Sequence, residues 1–292
     1  MSTYVIGDIH GCYESLKHLL KVAGVTEDDQ ILCVGDLINR GPYSLEVLEW
    51  AMKHQHQVQV ILGNHELHFL ACLFGATLAK GDTLDRILEQ PSTTRNEIFN
   101  WLRVQPILFE TQIQQKRLAM LHAGLNPQWT WSEVRERARR IERELKTDQG
   151  LETLALAHPS RKKSKLKSKG PSLKTNTEKP GWIEDLKWFT RVRTIDHKCR
   201  PVGWFKGNPM ELPSHLTPWF DHYSTVHNQS YPDMLYYGHW AAFGLQSGSC
   251  YYGLDTGCIW GNMLSAVRVE DGAVFQVSHS EIALTPKHLR QG

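Results

Sequence analysis

No hydrophobic run in the 292 residues is long enough to cross a bilayer; the longest mostly apolar stretch, Phe69 to Ala79, stops at Lys80. The start of the chain also lacks a basic stretch followed by an apolar core, because Asp8 and His10 arrive first, so secretion is not expected. The six cysteines, at positions 12, 33, 72, 199, 250 and 258, contain no CxxC pair and no dense spacing, which excludes a disulfide-stapled scaffold. Cys33, inside the apolar run from Ile31 to Val34, suits a packed thiol better than a bridge, and a reducing cytoplasmic compartment follows as the expectation. Low-complexity character is missing too: 41% hydrophobic and 22% charged residues, with ten Trp, nine Tyr and nine Phe, exclude a disordered or collagen-like chain. At this length a substantial core can form with no obligate protein partner.

A strong net charge is likewise absent, but the formal +2 conceals an asymmetry. Residues 161–179 hold eight Lys/Arg and one Glu, a local excess of +7 that leaves the rest of the chain at −5. A chain-wide nucleic-acid surface is therefore not expected, and the segment from about 158 to 181, rich in Lys, Ser, Pro and Thr, reads as a flexible basic surface loop.

What is present is a repeated unit. Tyr4 to Ile6 is a β-prone run ending in Gly7-Asp8-Ile9-His10-Gly11, followed by Leu16, Leu19, Leu20 and Ala23 at helical spacing. Ile31 to Val34 ends in Gly35-Asp36 and leads into a second helical pattern from Ser44 to Ala51. Val58 to Leu62 ends in Gly63-Asn64-His65-Glu66 before a third, Leu67 to Phe74. Asp8 to Asp36 and Asp36 to Asn64 are both 28 residues, one strand, helix and return. Right-handed crossovers put the carboxyl ends of parallel strands on one edge, so Asp8, Asp36 and Asn64 should converge. Further on, residues 82–104 and 131–147 read as helices, the second strongly charged and expected to show a solvated face. Leu118 to Leu121 reads as a strand ending at His122, and four late strands are expected at Met234–Tyr237, Cys250–Leu254, Met263–Val269 and Val274–Val277.

The polar residues at strand ends are Asp8, His10, Asp36, Asn64, His65, His122 and His239. Carboxylates, imidazoles and one amide oxygen form a mixed N/O donor set that suits Mn, Co, Fe or Zn better than an all-oxygen Mg or Ca site. Two ions can share the set if one carboxylate bridges. Such a pair, roughly 3.5–4 Å apart, lowers the pKa of a held water and clamps the attacking and leaving oxygens of an in-line displacement at phosphorus. Arg40, in the loop after Asp36, can grip phosphate oxygens, and His65 can protonate a leaving group.

Together GDIHG (7–11), GDLINRG (35–41), GNHE (63–66), HAG (122–124) and GH (238–239) resemble the calcineurin-like metallophosphoesterase signature, in its phosphoprotein-phosphatase-type branch. The resemblance implies an α/β sandwich of two mixed β-sheets flanked by helices. It implies one domain over 1–292, with a helical insertion at about 76–105 and a helical and loop insertion at about 130–190, and the late strands are expected to supply the second sheet. It further implies that Asp8 and His10 bind a first metal, that Asp36 bridges, and that Asn64, His122 and His239 bind a second, Mn or Co foremost. Arg40 would contact phosphate and His65 would act as the acid.

Longer runs, GDLINRGPYSLEVL, GNHELHFLA, LHAGLNPQW, WFTRVR and LDTGCIWGNMLSAVR, are similar to the bacterial hydrolases of dinucleoside polyphosphates. That similarity implies symmetrical cleavage of diadenosine tetraphosphate to two ADP, with capped RNA as a related substrate. The rivals are a phosphoserine/phosphothreonine protein phosphatase using the same centre, and an RNA-binding module working through the basic loop. Asn39 stands where the general phosphatase signature has an acid, so His65 lacks the carboxylate that would charge it. ADP leaves far more readily than a serine alkoxide, and this departure favours the polyphosphate reaction. Arg191 and Arg193 alternate and would share one face if extended, as further phosphate contacts. Trp240, beside His239, is the tryptophan placed at the substrate, with Trp129, Trp131 and Trp260 also considered. Asp255 would orient a ligand histidine or stabilise its own turn, and Cys12 would be oxidation-sensitive or simply packed.

Overall fold

The computed structural model of the chain describes residues 1–158 and 180–280. The repeated unit forms as the spacing predicts: β1 (Thr3–Ile6), α1 (Tyr13–Ala23), β2 (Gln30–Cys33), α2 (Ser44–Lys53), β3 (Val58–Val60) and α3 (Asn64–Leu73) alternate, with β1, β2 and β3 parallel and in that order. Side chains of these strands alternate between two cores. Ile6, Ile31, Cys33 and Val60 face the helices, where Leu16, Leu19, Val47 and Leu48 meet them. Val5, Leu32 and Val34 face the other way.

The predicted helix over 82–104 is two helices, α4 (Asp85–Leu88) and α5 (Ser92–Leu102), because Pro91 sits between them in an extended conformation. β4 (Leu108–Ile113), unforeseen, pairs antiparallel with β5 (Lys116–Leu121), the predicted strand before His122. α6 (Trp131–Leu145) is amphipathic: its charges are solvated as expected, while Trp131, Val134, Ala138, Ile141 and Leu145 make a buried stripe, and Thr130 with Glu133 caps its start. α7 (Asp148–Ala157) follows, and the basic segment expected to be flexible lies outside the described residues between 159 and 179. Next come α8 (Gly181–Arg191), β6 (Thr194–Asp196), β7 (Pro201–Val202), β8 (Leu216–Pro218) and α9 (Trp219–Val226). β7, β6 and β8 form a small separate antiparallel sheet.

The chain closes with β9 (Met234–Tyr237), β10 (Gln246–Ser247), β11 (Tyr251–Gly253), β12 (Met263–Arg268) and β13 (Val274–Ser278). The four expected late strands are all present, but they do not make a sheet of their own. β12 and β13 extend the first sheet in the order β13-β12-β1-β2-β3, whereas β9 and β11 enter a second, β10-β11-β9-β5-β4. Both sheets are mixed. A compact apolar layer, with Val5, Leu32, Val34 and Val267 from one sheet and Leu118, Met120 and Tyr236 from the other, lies between them. The architecture is therefore the expected two-sheet sandwich flanked by helices. Among the described residues no helix is long and apolar enough to cross a membrane.

Candidate metal centre

Five loops meet at one edge of the sandwich, each leaving the carboxyl end of a strand: Asp8 and His10 after β1, Asp36 after β2, Asn64 and His65 after β3, His122 after β5, and His239 after β9. Asp36 lies at the centre. Its Oδ2 is 3.2 Å from His122 Nε2, 3.6 Å from His10 Nε2 and 3.9 Å from His65 Nε2. His10, Asp36 and His65 offer donor atoms within 4.8 Å of one another, as do Asp36, His122 and His239, so Asp36 belongs to both groups. Asp8 completes the cluster 3.9 Å from His10 Nε2, with its carboxylate accepting the His239 N–H.

The backbone is bent to make this meeting. His10, Asp36, Asn39, Arg40 and His239 all have positive φ, and they are five of the seven such non-glycine residues among those described. Close approach requires glycine beside them: a Cβ on Gly63 would collide with the Asp36 carboxylate, and one on Gly238 with that of Asp8. The α3 N-terminus points into the cluster, where the His65 N–H donates to Asp36 Oδ1 at 2.9 Å. Glu66, one residue on, is fully buried and its carboxylate accepts from the N–H groups of Asp36 (3.0 Å), Leu37 (2.8 Å) and Gly63 (2.9 Å). It fastens the second motif loop to the third. Burial and the charge of Asp36 push its carboxyl up to about 7.

The chemistry of the donor set fits divalent ions. His122 Nδ1 lies 2.9 Å from the Val34 carbonyl and donates to it, which leaves Nε2 facing two acceptors, Asp36 Oδ2 and Asn64 Oδ1, each at 3.2 Å. His10 is oriented likewise by Nδ1 against the Ile38 carbonyl. His239 Nε2 and His65 Nδ1 are buried with no hydrogen-bond partner. Asp8, Asp36, Glu66 and Asp255 crowd one buried centre; burial, with the charges of Asp255 and Asp36, raises the Asp8 carboxyl well above its ordinary range. Burial acts the same way on Asp36, but the imidazoles of His122 and His65 outweigh it and hold Asp36 ionised. Cations among these atoms would satisfy the facing lone pairs and relieve the repulsion.

The centre forms the floor of a cavity of about 1080 Å³, at the upper end of ordinary ligand sites of roughly 300–1,000 Å³. Arg40, Arg191 and Arg193 line it together. The two later arginines are not on an extended segment: Arg191 ends α8 and Arg193 follows Val192, yet both reach the cavity. Arg193 donates to the His239 carbonyl at 2.9 Å. Trp240 is also in the wall but only 4% exposed, packed against Phe205 and Phe243 with its indole N–H donating to the Gly207 carbonyl. Most of the ring is packed against those neighbours, and the part that remains accessible contributes to the cavity wall. Trp129 and Trp131 are buried as well. Asp255 accepts from the Gly257 N–H at 3.1 Å, which makes it a turn-stabilising residue in the cavity wall. All six cysteines are unbridged, and Cys12 is a packed core residue.

Asp82 has no counterpart in the sequence reading. Its carboxylate accepts from Asn39 Nδ2 at 2.9 Å, His68 Nε2 at 2.6 Å and the Ala79 N–H at 2.5 Å, and lies 3.6 Å from the Arg40 guanidinium. Asn39 Oδ1 in turn accepts from the Arg40 and Thr83 N–H groups. Asn39 is thus turned toward Asp82, and the negative charge missing at position 39 reappears one side chain further out, beside Arg40. Only a Gly-Asp turn marked Asp82 in the sequence, whereas Glu66, an acid in the first turn of a helix, followed a recognisable capping pattern.

Burial alone would raise the Asp82 carboxyl, but the hydrogen bonds from His68, Asn39 and Ala79 outweigh it and lower it. A carboxyl lowered by folding contributes stability that is present above its unfolded value near pH 4 and is lost as pH falls. Thermal unfolding followed from about pH 6 to pH 3 should therefore show a steeper loss of Tm for the wild type than for Asp82→Asn. Parallel curves would contradict this assignment.

A family model described as calcineurin-like phosphoesterase matches residues 1–243. A curated protein of Methylobacillus flagellatus, named symmetrical bis(5′-nucleosyl)-tetraphosphatase, is 37% identical over 287 residues, with 95% of each chain covered. One of the same name from Dechloromonas aromatica is 36% identical, covering 98% of this chain and 99% of its own. Among solved structures, a candidate diadenosine tetraphosphatase shares the fold with a TM-score of 0.59 at 20% identity, over 96% of this chain and 94% of that one. A protein serine/threonine phosphatase of Saccharomyces cerevisiae shares it at 0.55 and 16% identity, over 96% and 80%.

Proposed function

The chain belongs to the calcineurin-like phosphoesterase family, and on that premise we propose that it hydrolyses diadenosine tetraphosphate symmetrically, releasing two ADP. The observation that carries this reading is Asp36, shared by two donor groups at the floor of an arginine-lined cavity, in a chain similar over its whole length to enzymes named for that reaction.

Asp8, His10 and Asp36 would hold one divalent ion, and Asp36, Asn64, His122 and His239 a second, with Mn or Co the ions that best suit the N/O set. When bound there, the ions supply Lewis-acid activation of water and neutralise phosphate charge. The rest of the work falls to the protein. Arg40, kept in place through Asn39 and Asp82, grips oxygens of the phosphoryl group under attack. Arg191 and Arg193, about 150 residues from Arg40 in sequence but in the same cavity wall, hold the flanking phosphates. His65 donates a hydrogen bond to the oxygen of the departing ADP, with no proton transferred to it. Burial lowers the His65 imidazole to about 3 and no carboxylate meets its Nδ1, so it is a neutral donor, adequate for a phosphoanhydride leaving group and weak for an alkoxide. Six unbridged thiols support a reducing, cytoplasmic setting.

The competing reading, a protein phosphatase, makes a different demand on that donor. With Mn-loaded protein, kcat/KM for diadenosine tetraphosphate should exceed that for a phosphoserine peptide by at least about 10³-fold. Comparable values for the two would overturn the proposal.

A further inference from the structure

Trp260 is the part of the cavity that phosphate chemistry does not use. Six of the ten tryptophans, Trp129, Trp131, Trp182, Trp188, Trp219 and Trp240, are buried, whereas Trp260 is 55% exposed. It ends a single helical turn, Cys258–Trp260, bounded by Gly257 and Gly261, whose φ values of 71° and 90° reverse the chain on both sides. The turn packs Cys258 and Ile259 into the core and leaves the indole outside. Among the described residues no aromatic ring or cation packs on it, in contrast to Trp129, which is covered by Arg137, Trp188 and Phe189. Nevertheless it lines the same cavity as Asp8, His10, Asp36 and Arg40.

Trp204 is exposed too, but it lies outside the cavity against Phe205, whereas the Trp260 indole offers an uncovered flat apolar surface in the wall of a charged cavity. Its occupant must be flat and apolar on its faces, and must also carry the anionic groups that Arg40, Arg191 and Arg193 attract from the same cavity. A nucleoside phosphate combines both properties, since every base has a π-face that stacks on an aromatic side chain. We propose that Trp260 is the stacking platform for a nucleobase of the substrate, a subsite that rests on the nucleotide-hydrolase reading and specifies where one base sits.

The test separates base from phosphate. ADP and inorganic pyrophosphate are titrated calorimetrically into the Mn-loaded full chain, wild type, Trp260→Ala and Trp260→Phe. Loss of the indole should weaken ADP binding roughly 10- to 100-fold and change pyrophosphate binding by less than about twofold, while Trp260→Phe stays within about threefold of wild type. Unchanged ADP affinity in Trp260→Ala, a parallel loss for both ligands, or a wild type that binds ADP no more tightly than pyrophosphate would each overturn the subsite. No turnover is involved, so a wild type that binds ADP through Trp260 yet leaves diadenosine tetraphosphate intact would refute the hydrolysis reading and keep the base platform.

Discussion

Asp36→Asn is expected to lower kcat by at least about 10³-fold, some 4 kcal/mol of transition-state stabilisation, and to reduce the bound divalent ions from two per chain toward one or none. The size of the effect follows from position. Asp36 is the one carboxylate common to both donor groups, and its Oδ2 is the atom nearest His122, His10 and His65 together. Asparagine is almost isosteric and its Oδ1 can still accept the His65 N–H, so folding should change little. The measurement is therefore paired: metal analysis after gel filtration and steady-state kinetics, with Tm as the control for folding. Full metal content together with near-wild-type turnover would remove Asp36 from its assigned place.

Glu66→Ala should have the largest effect on stability. The substitution strips the acceptor from four buried N–H groups, those of Asp36, Leu37, Gly63 and, at the longer distance of 3.4 Å, Ile38, in a region closed to water. Leaving such donors unmade costs about 1–3 kcal/mol apiece, so a loss of about 3 kcal/mol or more is expected, equivalent to a fall in Tm of roughly 6–12 °C for a chain of this size. Glu66→Gln keeps one good acceptor and should lose about half as much. Denaturant and thermal unfolding of the two variants check the order. Equal stability of Glu66→Ala and wild type would mean that the carboxylate does not fasten the two loops.

The centre of this site was legible because it is built on periodicity. Asp8, Asp36 and Asn64 recur at the length of a βαβ step, and chain chirality then forces them to one edge. What lay beyond short-range pattern was partner choice. β9 and β12 look alike as apolar runs, yet one pairs with β5 and the other with β1, a selection made by long-range packing that no local window records. Pro91 did mark a helix boundary, inside the polar stretch from Glu89 to Glu97 that separates two short apolar patterns. Tryptophan position is harder still: Trp240 and Trp260 both adjoin motif residues and both line the cavity, and only tertiary packing decides that the first is nearly buried against Phe205 and Phe243 while the second is exposed. Asp82 was invisible for a similar reason, since its partners Asn39 and His68 come from the loop after β2 and from α3.

The bond of the tetraphosphate that breaks decides between symmetrical and asymmetrical hydrolysis. The most direct test is a single-turnover reaction of Mn-loaded enzyme with diadenosine tetraphosphate, quenched at early times and resolved by nucleotide chromatography. ADP as the sole product, two molecules for each substrate consumed, is the predicted result. AMP and ATP in equal amounts would contradict it, because the phosphate chain would then lie off-centre over Asp36.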